Sequence, residues 1–218
     1  MTNASIANAL VKTYTDVFEL APTDITEVIL SVQKFDSSLG ELQNVTIGFD
    51  GQIVGDALVE SLDAEAQTLT FNLSGGLELL ESTDTLPNPL FLEETVNASD
   101  SFDATAHDRN IDFAGTSGQV FSGLTGTFTG ENIYDDQIAL NFFTGPGNVE
   151  FLFSASTDAT VTGAANIASI ISTQAGASVT VTYEFEAAED IPEPSAILGL
   201  GLFAGAGFLS KMKGTNKA

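Results

Sequence analysis

The sequence lacks cysteine and tryptophan, and among its 218 residues it has one histidine and six lysine or arginine side chains. Without cysteine there is no disulfide framework and no thiol chemistry. The 30 acidic side chains give a formal net charge of −24, and a surface with this charge repels phosphate backbones. We therefore expect no nucleic-acid partner. The acids are interleaved with apolar residues, which favours a folded, solvated surface over a disordered acidic tail.

The single histidine, His107, is the first candidate for catalysis because it stands beside Asp108 and near Asp103. Nucleophilic catalysis requires a base that an acid orients and a nucleophile within reach of that base. No serine lies in a G-x-S-x-G sequence, and a lone loop histidine is usually a solvated side chain. The sequence therefore indicates a protein that is not an enzyme, with no catalytic residues.

Paired carboxylates offer a second route to catalysis, since two acids about 5–9 Å apart can hydrolyse a glycosidic bond. Glu93 with Glu94 and Asp135 with Asp136 have the required side chains. With 30 acidic residues, adjacent pairs also arise by chance, and nothing in the sequence distinguishes these two. An acidic glycoside hydrolase is therefore the least supported alternative.

Two short acidic segments are candidates for a calcium site. Asp100 and Asp103 belong to one segment, and Asp108 and Asp112 belong to the other. Calcium binds oxygen ligands, but neither segment has the order of an EF-hand loop, and Arg109 would oppose a cation. The two interpretations are a weak structural calcium site and a solvated acidic loop. No other cofactor is expected.

Hydrophobic alternation is clearest between residues 177 and 186, where Val179, Val181, Tyr183 and Phe185 share one face and threonine or glutamate occupies the other. A period of two with β-branched and aromatic residues predicts a half-buried strand. Similar patterns predict strands over 13–20, 25–32, 45–49, 69–73, 77–80, 94–102, 124–129, 149–153 and 167–173. The predicted fold class is all-β, with a single antiparallel β-sandwich over residues 12–187 and little helix.

Turn signals separate the predicted strands. Asp50-Gly51 is a hairpin-type dipeptide, and Ser74-Gly75-Gly76 is predicted to end the strand before it. Phe35 and Leu39 are predicted to anchor a tight connection between two strands. The interval 81–123 has the weakest pattern and is predicted to be a long excursion with one strand.

The C-terminal residues 188–218 combine three features in a fixed order. Pro192-Glu193-Pro194 should stay extended, because proline disfavours helical geometry in itself and in the residue before it. Residues 196–209 carry no charge, and at ~1.5 Å per residue they form roughly 21 Å of helix, which is short for the ~30 Å hydrocarbon core. Lys211 and Lys213 follow and should stay on the cytoplasmic side. The alternative is a buried C-terminal core helix, although such a helix should be amphipathic.

This tail resembles that of the PEP-CTERM proteins of Gram-negative bacteria. Pro192, Glu193 and Pro194 match the family's motif, while Lys211 and Lys213 match its basic end, with lysine where arginine is commoner. The resemblance covers about 28 residues and concerns transport. It implies an exosortase-type processing enzyme as partner, transient residence in the inner membrane as a precursor, and delivery to the cell surface or to an extracellular matrix near exopolysaccharide.

The body carries a second resemblance. Lys34-Phe35-Asp36, Leu39-Gly40 and Leu42 lie between two predicted strands and are similar to a segment of the choice-of-anchor E domain of bacterial surface proteins. Residues 111–118 and the strand at 179–183 are similar to it as well. The likeness covers about residues 12–187 and implies an exported β-rich module whose molecular role is not established.

The N-terminal segment, residues 1–11, conflicts with the tail, because it has no cation before its apolar residues and no run long enough for a signal peptide. We expect the true start to lie upstream; a decayed reading frame is the alternative.

The leading functional prediction is a non-enzymatic exported protein of the cell surface or extracellular matrix. The alternative is a module that binds carbohydrate such as exopolysaccharide, although the chain has no tryptophan and three tyrosines for stacking on sugars.

Overall fold

The computed structural model describes residues 9–83, 85–86 and 90–188, which form two four-stranded antiparallel sheets. The strands are β1 (Ala9–Pro22), β2 (Ile25–Gln33), β3 (Gly40–Ser61), β4 (Gln67–Glu81), β5 (Phe91–Ala104), β6 (Gly118–Tyr134), β7 (Asn148–Thr162) and β8 (Ile167–Ala187). A 3₁₀ turn at Ser37–Leu39 and the helix α1 (Gln137–Phe143) complete the described elements. The all-β prediction is confirmed, while the predicted helix at 196–209 lies outside the described residues.

The strand order follows a nested pattern. One sheet runs β1-β8-β3-β6 and the other runs β2-β7-β4-β5. The first strand therefore pairs with the last, the second with the seventh, the third with the sixth and the fourth with the fifth. This is the order of an eight-stranded jelly roll, in which one long antiparallel ribbon folds into a two-sheet sandwich.

The predicted inward faces are confirmed. In β8, Val179, Val181 and Tyr183 are fully buried and Phe185 is 6% exposed, whereas Glu184 on the opposite face is exposed. The main hydrophobic core lies between the two sheets, and a second, smaller hydrophobic cluster forms around Phe71. Burial of alternate apolar side chains between the sheets is the main stabilising contribution to this fold.

The predicted turns at Asp50-Gly51 and Ser74-Gly75-Gly76 are wrong, because these residues lie inside β3 and β4. The run predicted as a separate strand at 77–80 is consequently the second half of β4. Gly51 and Gly75 are there for space: a Cβ on Gly51 would lie 3.2 Å from Leu77 Cδ1, and one on Gly75 would collide with the backbone oxygen of Ser156. Glycine at these positions therefore reflects close packing rather than a change of chain direction.

The connection after β2 differs in part from its prediction. Phe35 is 1% exposed and packs 5.0 Å, centroid to centroid, from the ring of Phe185, as expected of an anchor. Leu39 is 40% exposed, so the prediction that it is a second anchor is wrong. The 3₁₀ turn that carries Leu39 is instead held by Asp36, whose carboxylate accepts a hydrogen bond from the Ser38 backbone N–H at 2.9 Å. This hydrogen bond also lowers the pKa of Asp36.

The weakly patterned interval 81–123 contains a longer strand than predicted, β5, and the start of β6. Between them, residues 105–117 form a loop, which we name the β5–β6 loop. The backbone φ angle is positive at Arg109, Phe113 and Gly115 in this loop. The chain bends sharply at these left-handed residues. The loop has no regular hydrophobic alternation from which its structure could be predicted.

Candidate functional site

Glu60 is a buried acid at a position where β-strand geometry predicts an exposed one. Its neighbour Val59 is fully buried in the core, so Glu60 projects from the opposite, outer face of β3. Glu60 is nevertheless 0% exposed. The reason is the β5–β6 loop, which lies over this face of the sheet and brings His107 to Glu60.

Backbone hydrogen bonds hold the β5–β6 loop in place. At its base, the N–H of Thr105 donates to the carbonyl of Thr116 at 2.8 Å. Two residues further along, the N–H of His107 donates to the carbonyl of Asp63 at 2.8 Å, which fixes the histidine beside the end of β3. The position of His107 is therefore set by the main chain, as a site residue requires.

Asp63 in turn secures the neighbouring β7–β8 connection. Its carboxylate accepts hydrogen bonds from the side chain of Asn166 at 2.8 Å and from the N–H of Ala165 at 2.9 Å. These hydrogen bonds, that of Asn166 first, lower the pKa of Asp63 below its ordinary value because they stabilise the ionised carboxylate.

Gly118 provides the space for the Glu60 side chain. A Cβ on Gly118 would lie 2.5 Å from Glu60 Oε2 and 2.5 Å from the carbonyl carbon of Phe113, and it would collide with the nitrogen of Ala114. Any larger residue would therefore push either the carboxylate or the loop away. Glycine at the first position of β6 is a requirement of this site.

The polar atoms at the centre of the site lack ordinary partners. His107 Nδ1 lies 3.9 Å from Glu60 Oε1, which is too far for a hydrogen bond. Both carboxylate oxygens of Glu60 and His107 Nδ1 are buried without a hydrogen-bond partner among the described residues. The hydroxyls of Ser61 and Ser117 are likewise buried without a hydrogen-bond partner among the described residues. Each such group costs about 1–3 kcal/mol when it is left unpaired, and a charged group costs more.

The other buried acid, Glu81, shows how this protein normally satisfies such a side chain. Its Oε1 accepts from the N–H of Thr83 at 2.7 Å and from the Thr83 hydroxyl at 2.6 Å, while its Oε2 accepts from the N–H of Thr85 at 3.1 Å. Glu60 has none of these hydrogen bonds among the described residues. Of the two buried glutamates, Glu60 is therefore the one whose carboxylate oxygens lack hydrogen-bond partners among the described residues.

Asp108 completes a group of three possible metal ligands. One ligand atom each from Glu60, His107 and Asp108 lies within 4.8 Å of the others, and within the described ranges no other group of three or more such side chains meets this condition. Asp108 is exposed and His107 is 20% exposed, so the group reaches solvent on the loop side. His107, which the sequence indicated to be a solvated side chain, has its Nδ1 buried instead.

The other acids considered as calcium ligands lie outside this group. Asp112 accepts from the Asn110 side chain at 2.6 Å, Asp103 accepts from the Thr68 hydroxyl at 2.7 Å, and Asp100 accepts from the N–H of the residue after it at 2.8 Å. Of the four calcium candidates, the structure therefore brings only Asp108 to the histidine. Sequence analysis missed Glu60 because a single glutamate in a strand carries no signal that a distant loop covers it.

The acid pairs considered for glycoside hydrolysis lie at the start of α1 and within β5. Asp136 is the N-cap of α1, where its carboxylate accepts from the N–H groups of Ile138 and Ala139 at 3.1 Å each. Glu93 and Glu94 are consecutive residues of β5, so their side chains point to opposite faces of the sheet. Glu93 and Glu94 therefore do not face one substrate together, and Asp136 of the other pair is engaged as a helix cap.

A second surface feature is a set of threonines on the outer face of the first sheet. Thr13 and Thr15 of β1 oppose Thr182 and Thr180 of β8, with hydroxyl oxygens 3.2 and 3.0 Å apart, and Thr46 of β3 opposes Thr182 from the other side. We name these five residues the threonine face. An open groove of about 620 Å³ is lined by other residues of the same sheet, from β1, β3, β6 and β8.

Aromatic side chains contribute little to the described surface. Phe91, at 55% exposed, is the only exposed aromatic residue in the described ranges, and the others are half-buried or buried. Tyr134 and Tyr183 are buried, and Tyr14 is half-buried. A sugar site built on stacked aromatic platforms therefore has few side chains to use in this part of the chain.

Comparisons with known proteins identify no family for this chain. No family model matches it, and no curated protein matches it. Structural similarity is weak. The structure of Desmodium yellow mottle tymovirus matches 88% of this chain and 97% of its own at 8% identity and a TM-score of 0.24. The infectious bursal disease virus VP2 subviral particle matches 83% of this chain and 38% of its own at 13% identity and a TM-score of 0.22. The virus-like particle of the Macrobrachium rosenbergii extra small virus matches 83% of each chain at 8% identity and a TM-score of 0.15.

Within the described residues, no helix is long and apolar enough to cross a membrane. Pro192-Glu193-Pro194, the apolar run 196–209 and the lysines Lys211 and Lys213 all lie outside the described residues.

Proposed function

We propose that this chain is an exported, non-enzymatic protein that the C-terminal tail holds in the inner membrane until a processing enzyme releases it to the cell surface or extracellular matrix. The observation that carries the proposal is the order of features within 28 residues: Pro192-Glu193-Pro194, then the uncharged run 196–209, then Lys211 and Lys213. An extended peptide gives a processing enzyme access to the backbone, and a short apolar span suits a temporary anchor.

The body supports the same proposal through its charge. Residues 1–190 contain 29 acidic side chains against three cations, a formal charge of −26. A body with this charge stays soluble among polyanionic matrix components and resists adsorption to anionic lipid. After processing, such a body has little tendency to remain on the membrane.

Fractionation of the cognate host tests the proposal. With a signal peptide supplied, the wild-type chain should be found at the surface or in the medium. The double variant Pro192→Ala/Pro194→Ala should stay in the membrane fraction at its full mass. Pro146→Ala, an exposed loop position of the body, is the matched control and should behave like wild type. Release of the double variant to the same extent as wild type would contradict the proposal.

A second candidate function, binding of an uncharged polysaccharide, is favoured by the threonine face. Its paired hydroxyls lie on one face of a sheet that also carries an open groove, so they can form hydrogen bonds with a sugar chain. An anionic polysaccharide would be repelled by the acidic body, hence the restriction to uncharged chains. Hydrogen bonding replaces aromatic stacking in this arrangement.

A glycan array of the purified protein tests the second candidate. Replacing both Thr13 and Thr15 by valine keeps the strand propensity and removes two hydroxyls, and it should weaken binding by about fivefold or more. Thr160→Val, at an exposed position of the other sheet, is the control. Equal binding by the double variant, or no bound glycan, would contradict polysaccharide binding through this face.

A further inference from the structure

We propose that Glu60, His107 and Asp108 bind one divalent transition-metal cation, with Zn²⁺ as the best fit. Two ligand atoms of one tetrahedral Zn²⁺, each bonded at about 2.1 Å, lie about 3.4 Å apart. The 3.9 Å between Glu60 Oε1 and His107 Nδ1 is too long for a hydrogen bond but lies within about 0.5 Å of this separation. Asp108, which is exposed, completes the set after a side-chain movement of about 1–1.5 Å, because all three ligand atoms already lie within 4.8 Å of one another.

The unpaired groups support an ion at this point. A direct Glu60–His107 ion pair would leave Glu60 Oε2 buried and unpaired, since neither carboxylate oxygen has a hydrogen-bond partner among the described residues. A bound cation accounts for the carboxylate and for the buried His107 Nδ1 together. The two carboxylates of Glu60 and Asp108 carry two negative charges, which balance one divalent cation when the imidazole is neutral.

The donor types select the class of metal. Calcium and magnesium prefer shells made entirely of oxygen, whereas imidazole nitrogen suits zinc and its neighbours in the first transition row. One nitrogen and two carboxylate ligands leave a fourth position, and the partial exposure of His107 and Asp108 allows water to fill it. The proposed set shares only Asp108 with the calcium candidates Asp100, Asp103, Asp108 and Asp112, and it suits a different ion.

The cation would join two parts of the chain that are distant in sequence. Glu60 lies near the end of β3, while His107 and Asp108 belong to the β5–β6 loop, so the metal would fix the loop onto the outer face of the sheet. The role inferred is structural: binding to the folded state stabilises it by mass action. This inference is independent of the tail and of the proposed export.

The test uses the full chain, purified in detergent and stripped of metal with a chelator. Calorimetric titration with Zn²⁺ should show one ion per chain, and the melting temperature should rise. Because a strongly acidic chain is also stabilised by screening, Mg²⁺ at equal ionic strength is the control and should give a smaller shift. Identical shifts with the two ions would overturn the site.

Substitutions locate the ion. Glu60→Gln and His107→Gln keep the approximate side-chain shape, and each should weaken Zn²⁺ binding at least about tenfold. Asp112→Asn, a change of equal charge in the same loop, should bind Zn²⁺ like wild type. Should a buried variant fail to fold, Asp108→Asn provides the same test at an exposed position. Wild-type affinity in the Asp108→Asn and Glu60→Gln variants would overturn the proposal.

Discussion

The hydroxyl of Tyr183 donates a hydrogen bond to the backbone carbonyl of Gln33 at 2.9 Å and so links β8 of one sheet to β2 of the other. Tyr183 is fully buried, and its ring packs 6.1 Å, centroid to centroid, from the ring of Tyr14. Burial raises the pKa of the Tyr183 phenol, so the hydroxyl stays a donor at all physiological pH values. β8, the strand with the clearest hydrophobic alternation in the sequence, thus also makes a hydrogen bond that joins the two sheets.

Tyr183→Phe should lower the free energy of unfolding by about 1–2 kcal/mol, because it removes this hydrogen bond and leaves the Gln33 carbonyl without its donor. Urea unfolding at neutral pH measures the change. Tyr14→Phe, at a half-buried ring, is the control and should cost less. A Tyr183→Phe variant as stable as wild type would show that the hydroxyl contributes nothing to the junction.

Phe185→Ala should cost about 3–5 kcal/mol, since it empties a core position whose ring packs against Phe35. Glu184→Ala, one residue away on the exposed face, should cost less than about 0.5 kcal/mol. Chemical denaturation of the two variants side by side makes the comparison. Similar losses would mean that the two faces of β8 are assigned the wrong way round.

Gly118→Ala should destabilise the chain by about 1–3 kcal/mol, because the added methyl group meets the Glu60 carboxylate and the backbone of the β5–β6 loop. It should also weaken Zn²⁺ binding if the cation site is as inferred. Gly48→Ala, where a Cβ meets only the Thr180 carbonyl at 3.8 Å, is the matched control and should change stability little. Equal behaviour of the two variants would show that Gly118 leaves no special space for Glu60.

Stability should depend on the ionisation of Asp63 at acid pH. Hydrogen bonds lower its folded pKa below the ordinary value of 3.8, so its contribution is fully present above that value and is lost as the pH falls through the folded pKa. The stability difference between wild type and Asp63→Asn should therefore shrink as the pH is lowered below about 4. Glu65→Gln, which removes one nearby exposed charge, controls for overall charge. A difference that does not change between pH 7 and pH 3 would contradict this account.

The sequence predicts the strands well because each half-buried strand repeats its pattern locally, as Val179 to Phe185 do. It fails at Gly51 and Gly75, because the sequence alone does not distinguish a glycine that forms a turn from a glycine that leaves room for a neighbouring part of the chain. The helix α1 was missed because its seven residues, 137–143, are too short to show a helical period.

The candidate site was less predictable than the fold. His107 and Asp108 are adjacent and were singled out, but Glu60 lies in another strand and has no local signature. Its burial depends on how the β5–β6 loop folds over the sheet, and that loop is set by backbone hydrogen bonds and by left-handed residues such as Arg109 and Phe113. Such interactions have no hydrophobic period, so they become visible only in three dimensions.

The most direct test of the central claim, that the tail directs export and is then processed, is the intact mass of the mature protein from the cognate host. Mass spectrometry of the surface or secreted form should give a chain that ends before the basic residues Lys211 and Lys213, consistent with release from the membrane anchor. A mature protein that still ends at Ala218 would contradict processing and would leave residues 196–209 as a simple anchor.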